Sequence, residues 1–146
     1  MPRSPTLPLR ERARALMRRG GAMVYDGLLL VALLICITVP VVIARQGAVP
    51  PGSLTYQFAV AAVVAGFYLI SWIRQGQTVG MRAWQLVVER PDRSRVDLAH
   101  AVARLITSLL SLAPLGAGYL WMLVDREGLA WHDRLSGTRV VYRRLR

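Results

Sequence analysis

Apolar residues in this chain come in long unbroken blocks rather than in alternation with polar ones, which is the pattern of segments solvated by lipid. The first block, Ala22 to Ala44, holds 23 residues with a single charge, Asp26. At about 1.5 Å per residue it crosses a hydrocarbon core of about 30 Å. It is too long for a signal-peptide core and ends without a small-residue cleavage site, so it is expected to stay in the mature protein. Pro40 near its far end can kink the helix or mark its exit, and Arg45 to Ser53, with Gly47, Pro50, Pro51 and Gly52, reads as a short turn. A second span follows from about Leu54 to Ile73. Its pairs Ala61/Ala65 and Ala62/Gly66 set small residues four apart, where a neighbouring backbone can approach closely.

The third block, Leu98 to Val124, is 27 residues long. As one span it would carry Arg126, Arg134, Arg139, Arg143, Arg144 and Arg146 to the side opposite the other arginines. As two full spans it is too short. The reading that satisfies both constraints is a broken pair of half-helices, about Leu98 to Leu112 and Pro114 to Val124, turning at Ala113-Pro114-Leu115-Gly116; a plain third span is the alternative. Between the second and third blocks the chain is polar, and Trp84 to Glu89 reads as a strand, as does Thr138 to Tyr142 near the C-terminus. A two-stranded ribbon is marginal alone and has to rest on the helices. The expected fold is therefore an all-α membrane bundle: two full transmembrane helices, a third broken or re-entrant segment and a small cytoplasmic two-stranded β ribbon. An Arg-rich tail over 1–17, disordered at first and helical at the interface from about Leu9 to Arg19, precedes a membrane domain over 18–142, and a basic tail covers 143–146.

Composition sharpens the orientation. All 19 basic residues are Arg, against 8 acids, for a net charge of +11. The N-terminal stretch and the loop Arg74 to Asp97 carry most of them, so the positive-inside rule puts these segments and both termini in the cytoplasm. Anionic headgroups are the partners such clusters imply, and no nucleic-acid-binding module is visible. Cys36 is alone in an apolar run and reads as a buried structural thiol. No metal or cofactor site is expected, since His100 and His132 are too few to hold a metal by themselves.

Candidate chemistry starts from the charges that lipid makes costly. Arg19 and Asp26 lie seven residues apart, two helical turns, on one face and about 10 Å along the axis. An Asp inside a membrane helix usually faces the bundle interior and has a partner. On the third block His100, Arg104, Thr107, Ser108 and Ser111 make a polar stripe, and Arg104 needs an anion among Asp26, Asp97, Asp125 and Asp133. The run Trp131-His132-Asp133-Arg134 pairs a His with an Asp, but the further ligands of a metal hydrolase are missing. It reads instead as a short helix whose Trp131 anchors at the interface while Asp133 accepts from an Arg.

The stretch Arg19-Gly-Gly-Ala-Met-Val-Tyr-Asp26, the loop Gly76-Gln77-Thr78-Val79-Gly80-Met81-Arg82 and the closing His132-Asp133-Arg134-Leu135-Ser136-Gly137-Thr138-Arg139-Val140-Val141 resemble the RDD family of bacterial membrane proteins. That family is named for one Arg and two Asp residues. The resemblance, from about Arg18 to Tyr142, implies that Arg19, Asp26 and Asp133 are those residues. Arg82 stands where Lys is often found, which keeps the charge but changes its contact geometry. The resemblance implies a multi-pass protein of the bacterial inner membrane, and a few members are linked to cation–proton exchange or other transport.

The functional expectation is a non-enzymatic membrane protein that transports a small ion or polar solute, with cation/proton exchange as the concrete form. Arg19, Asp26, Arg104 and Asp133 form its polar cluster, with Asp26 and Asp133 as the proton- or cation-exchanging carboxylates and Arg19 or Arg104 tuning them; His100, Arg82 and His132 are secondary candidates. A chain this small has little room to enclose a path, so a homo-oligomer is expected. The alternative is an accessory or scaffold protein whose Arg–Asp network only locks the helices. In a scaffold both acids are fully satisfied; in a transporter one carboxylate faces a cavity.

Overall fold

The structure is a computed structural model that describes residues 7–50 and 52–143. The prolines at the start of the N-terminal tail, Pro51 and the last residues of the basic C-terminal tail, 144–146, lie outside the described residues.

Helix α1 runs from Leu9 to Ala44 without interruption, 36 residues. The interfacial helix and the first span expected separately are thus one rod, about 54 Å long against a hydrocarbon core of about 30 Å. Gly20 and Gly21 do not divide it, because each costs only about 1 kcal/mol in a helix interior. Pro40 sits inside the helix and does not end it. The buried residues of α1 are Arg19, Ala22, Asp26 and Leu30. Their three- and four-residue spacing makes one stripe, so both charges face the interior.

Helix α2, Leu54–Gln75, runs back along α1. Tyr56 near its start shares a 2.7 Å hydrogen bond with Thr38, and Trp72 near its end packs in one cluster with Ala22. Both helices are long and apolar enough to cross a membrane. Gly76, at φ 68°, closes α2 in the left-handed conformation that suits a residue without Cβ. The expected loop after it contains a short helix, α3 (Val79–Ala83), started by Thr78, whose hydroxyl accepts from Met81 N at 3.1 Å.

Strand β1 (Leu86–Glu89) pairs antiparallel with β2 (Arg139–Tyr142) in the register Leu86↔Tyr142 to Glu89↔Arg139. Both expected strands are present, each shorter at its start. The ribbon rests on the helices through Leu86 and Val88, which join Ala22, Trp72, Met81 and Ala101 in the buried core.

The third block is broken where expected. Helix α4 (Leu98–Leu112) is followed by α5 (Ala117–Leu120) and a 3₁₀ turn, Trp121–Leu123, with the two halves bent by 104°. The turn supplies its own hydrogen bonds: Ala113 N donates to Leu109 O, Gly116 N to Leu112 O, and Tyr119 and Leu120 N to Gly116 O. Internal pairing of this kind is what non-helical backbone requires away from water. Gly118 lies so close to Ser111 that a Cβ there would collide with it. Past the 3₁₀ turn the chain returns to the start of α1. Arg12 Nη1 donates to the carbonyls of Leu123 and Val124, and Leu7 N donates to Arg126 O at 3.1 Å. Helix α6 (Trp131–Leu135) then precedes β2.

Two packing expectations are corrected. Cys36 is exposed rather than buried, because it lies off the Arg19–Leu30 stripe. Ala61 and Ala62 are exposed as well, and a Cβ on Gly66 would meet nothing within 4 Å, so among the described residues no neighbouring backbone uses the small-residue face of α2.

Candidate functional site

Asp133 receives charged groups from two helices. Arg19 Nη1 of α1 donates to Oδ2 at 2.5 Å, and Arg104 Nη1 of α4 donates to Oδ1 at 2.7 Å. Backbone N–H of Ala130 donates to Oδ2 at 3.2 Å. Asp133, Arg104 and Arg19 are only 1%, 4% and 7% exposed, so these are charge-assisted bonds in a desolvated setting. Arg104 Nη1 also donates to Thr138 Oγ1, which shares a 2.7 Å hydrogen bond with Ser136, while the Arg104 guanidinium lies 5.4 Å from the centre of the Trp72 ring. The result is a clasp joining α1, α4 and α6. Burial pushes the Asp133 carboxyl up, but Arg19 and Arg104 outweigh it and hold the group well below the usual carboxylate range.

His132 sits beside this clasp, its Nε2 3.5 Å from Asp133 Oδ1 and its ring 4.5 Å from that of Tyr119. Burial lowers its pKa to about 3, so the imidazole is neutral at physiological pH.

Asp26 is held quite differently. Its Oδ2 accepts from the Thr78 hydroxyl and its Oδ1 from Gly80 N at 2.7 Å. Thr78 therefore bonds the carboxylate and caps α3 with one hydroxyl. Gly80 makes the approach possible, since a Cβ there would collide with the Ala22 carbonyl and the Asp26 carboxylate. Asp26 is 3% exposed and, among the described residues, forms no ion pair. The single cluster expected from sequence is thus divided in two. Arg19 shares a stripe with Asp26 but spends its charge on Asp133, 114 residues away in sequence.

A cavity of about 200 Å³ connects the two parts. Arg19, Asp26, Arg104 and His132 line it, together with the aromatic rings of Tyr68, Trp72 and Tyr119. The rest of its wall is largely aliphatic, including Val64, Leu105, Leu109 and Leu112. Asp133 is not on the wall.

The remaining candidates lie elsewhere. His100 is at the first turn of α4, where its Nδ1 is 2.6 Å from Asp97 Oδ1 and its N–H donates to the same oxygen at 2.9 Å. It is a helix-start pair, not part of the clasp, and hydrogen bonding to His100 lowers the pKa of Asp97. Arg82 is exposed on α3 and makes no ion pair among the described residues. Of the α4 stripe, Thr107 bonds back to Ala103 O at 2.7 Å, so only Arg104 enters the charged clasp. Thr78, Gly80 and Thr138 were not singled out for a role from sequence, although a Thr three residues before Met81 is a recognisable helix start. Glu89 was also missed. It is 6% exposed and bonded by Arg139 at 2.7 Å and Arg143 at 2.9 Å, which ties the ribbon together.

Two long apolar helices, a bent third pair and a buried Arg–Asp–Arg clasp define a helical membrane-type protein. The RDD family model matches residues 13–137, most of the chain, and the chain belongs to that family. The match starts a little before Arg18 and ends at Gly137, so β2 falls outside it. No curated protein and no solved structure matches the chain.

Proposed function

We propose that this chain is a non-enzymatic transport protein of the bacterial inner membrane, exchanging a small cation against a proton at Asp26. The observation that carries this reading is the contrast between the two acids. Asp133 takes both guanidiniums and is closed off from the cavity wall, whereas Asp26 lines the cavity with only neutral donors on its oxygens. A buried carboxylate without a counter-ion is costly, and a proton or a bound cation removes that cost. Of the expected pair of exchanging acids, Asp133 becomes a positioning group, with Arg19 and Arg104 holding α1, α4 and α6 around the site. The groups facing Asp26 across the cavity are Arg19, Tyr68, Arg104, Tyr119 and His132.

In this reading the ribbon, α3, α6 and both termini are cytoplasmic. Arg12, Arg74, Arg90, Arg126 and Arg139 all belong to the end of the bundle where the ribbon sits, while Arg45 is at the other. The arginines left exposed there meet anionic headgroups. A homo-oligomer completes the path, since one chain buries almost none of α1's apolar window.

The test is purified protein in proteoliposomes with a pH-sensitive dye inside and sodium or potassium added outside. Wild type moves protons on cation addition, Asp26→Asn does not, and Asp26→Glu retains part of the flux. Absence of flux with every alkali cation overturns the proposal. The scaffold reading is favoured by the complete saturation of Asp133, and it predicts that Asp26→Asn leaves function in the cell intact.

A further inference from the structure

We infer that the cavity beside Asp26 is a binding site for a lipophilic organic monocation, such as a small quaternary ammonium; this rests on the reading of Asp26 as the exchanging carboxylate. The attraction comes from that carboxylate, buried and without an ion pair among the described residues. Its donor set does not suit a divalent metal ion. A divalent cation such as calcium collects about six or more oxygen ligands, several of them charged, but Asp26 is the one acid that the described residues place on this cavity, and each of its oxygens already accepts one hydrogen bond, from Thr78 and Gly80. Among the described residues no group of three His, Cys, Asp or Glu side chains could hold a metal.

What the wall offers instead is aromatic and aliphatic surface. Tyr68 and Trp72, with ring centroids 5.3 Å apart on α2, and Tyr119 on α5 all line the cavity. The electron-rich faces of such rings attract alkylammonium groups, whose charge is spread over carbon and which lose little on leaving water. A volume of about 200 Å³ is many times the roughly 10–15 Å³ that one water molecule needs on the same measure, so it admits a compact organic group. On α4 the boundary includes Leu109 and Leu112, which are 64% and 53% exposed, so in the membrane reading a lipophilic ligand can enter from the bilayer.

Charge limits the ligand to one positive unit. Arg19 and Arg104 also line the cavity, and Asp133 balances only one of the two guanidiniums. With Asp26 and Asp133 set against the two guanidiniums the four charges sum to zero, so a single cation is held by its closeness to Asp26, while a divalent ion carries twice the uncompensated charge and is excluded.

Titration calorimetry of the full chain in nanodiscs tests the site, with tetraethylammonium as the probe and sodium and ethanesulfonate as comparisons. Wild type binds tetraethylammonium saturably and ethanesulfonate not at all. Asp26→Asn weakens binding by at least about tenfold, as expected for loss of one charge contact of about 1.4 kcal/mol or more. Because that change can disturb folding, Val64→Trp, which fills the cavity and leaves Asp26 in place, and Tyr68→Leu, which removes one ring, are measured alongside; both abolish or weaken binding while the protein still elutes as a single species. Lack of saturable binding by wild type, or equal binding by Val64→Trp, overturns the site. Alkali cation–proton exchange in proteoliposomes without tetraethylammonium binding overturns this inference alone. Tetraethylammonium binding without any exchange supports the site and overturns the transport reading.

Discussion

Replacing Asp133 by Asn removes one charge and leaves the volume almost unchanged, so the response reports electrostatics rather than packing. The carboxylate accepts from Arg19 Nη1, Arg104 Nη1 and Ala130 N. An amide has a single acceptor oxygen, and its NH₂ must then face at least one of the guanidiniums, donor against donor. The lost charge-assisted hydrogen bond is worth about 1.5–3 kcal/mol. Two guanidiniums that are 7% and 4% exposed are also left without a counter-charge. Breaking a buried pair in this way costs about 3–5 kcal/mol, which corresponds to a fall of roughly 10 °C or more in thermal midpoint for a chain of this size. The assay is thermal unfolding in mild detergent followed by tryptophan fluorescence. Asp92→Asn is the control, since among the described residues Asp92 bonds only Ser94 and a distant Arg90 on the surface, and it leaves the midpoint unchanged. The triple change Arg19→Met, Arg104→Met, Asp133→Leu removes all the charges together and recovers much of the loss, because replacing a whole buried ionic group by apolar residues is often close to neutral. An Asp133→Asn midpoint equal to wild type, or a triple variant no better than the single one, would refute the reasoning.

Gly80→Ala drives a methyl into the Ala22 carbonyl and the Asp26 carboxylate and costs about 1–3 kcal/mol, whereas Gly66→Ala, with nothing within 4 Å, is neutral or stabilising; opposite signs in the same melting assay check this. His132 makes stability fall as the pH drops from about 6.5 towards its folded value of about 3, because the unfolded chain takes up a proton that the folded one excludes, with a slope of up to about 1.4 kcal/mol per pH unit. His132→Phe flattens that window, while the contribution of Asp133, whose folded pKa is depressed, is present above about pH 4 and is lost only as the pH falls below it. In a Cys36→Ala background, Asp92→Cys reacts with a membrane-impermeant thiol reagent only after the cell is opened and Gly47→Cys reacts from outside; the reverse result would invert the orientation.

The elements were legible wherever the physics is local. The spans follow from the length of the apolar runs, and the break in the third block follows from Pro114 and Gly116 together with the placement of the arginines on either side. The strands follow from Leu86-Val87-Val88 and Val140-Val141, and their pairing from the need of a ribbon for a second strand. The interfacial helix and the first span, read separately, join into one rod, since two glycines cost less than a continuous helix gains. The site was legible only as a set of residues, not as a set of bonds. Seven-residue spacing puts Arg19 and Asp26 on one stripe, but a common face does not decide which acid an arginine's long side chain will reach. That choice belongs to α6, whose five residues carry no periodic signal and which arrives only because the chain folds back at Gly116.

The bond pattern follows from where each acid sits. Asp133, at the first turn of α6 between α1 and α4, is reached by both guanidiniums and has no oxygen left for the cavity. Asp26, deeper along α1, is met by α3, which brings it a hydroxyl and a backbone N–H while the one cation of that helix, Arg82, is exposed and makes no ion pair with it. Adding one more cationic side chain near Asp26 would satisfy it as fully as Asp133 and close the one carboxylate that the described residues place on the cavity wall. Val79→Arg would not do this, because Val79 is exposed. Tyr68→Arg, from the cavity wall itself, would. That variant is therefore expected to fold and to lose cation–proton exchange, whereas a scaffold would gain stability from the new pair and keep its function in the cell.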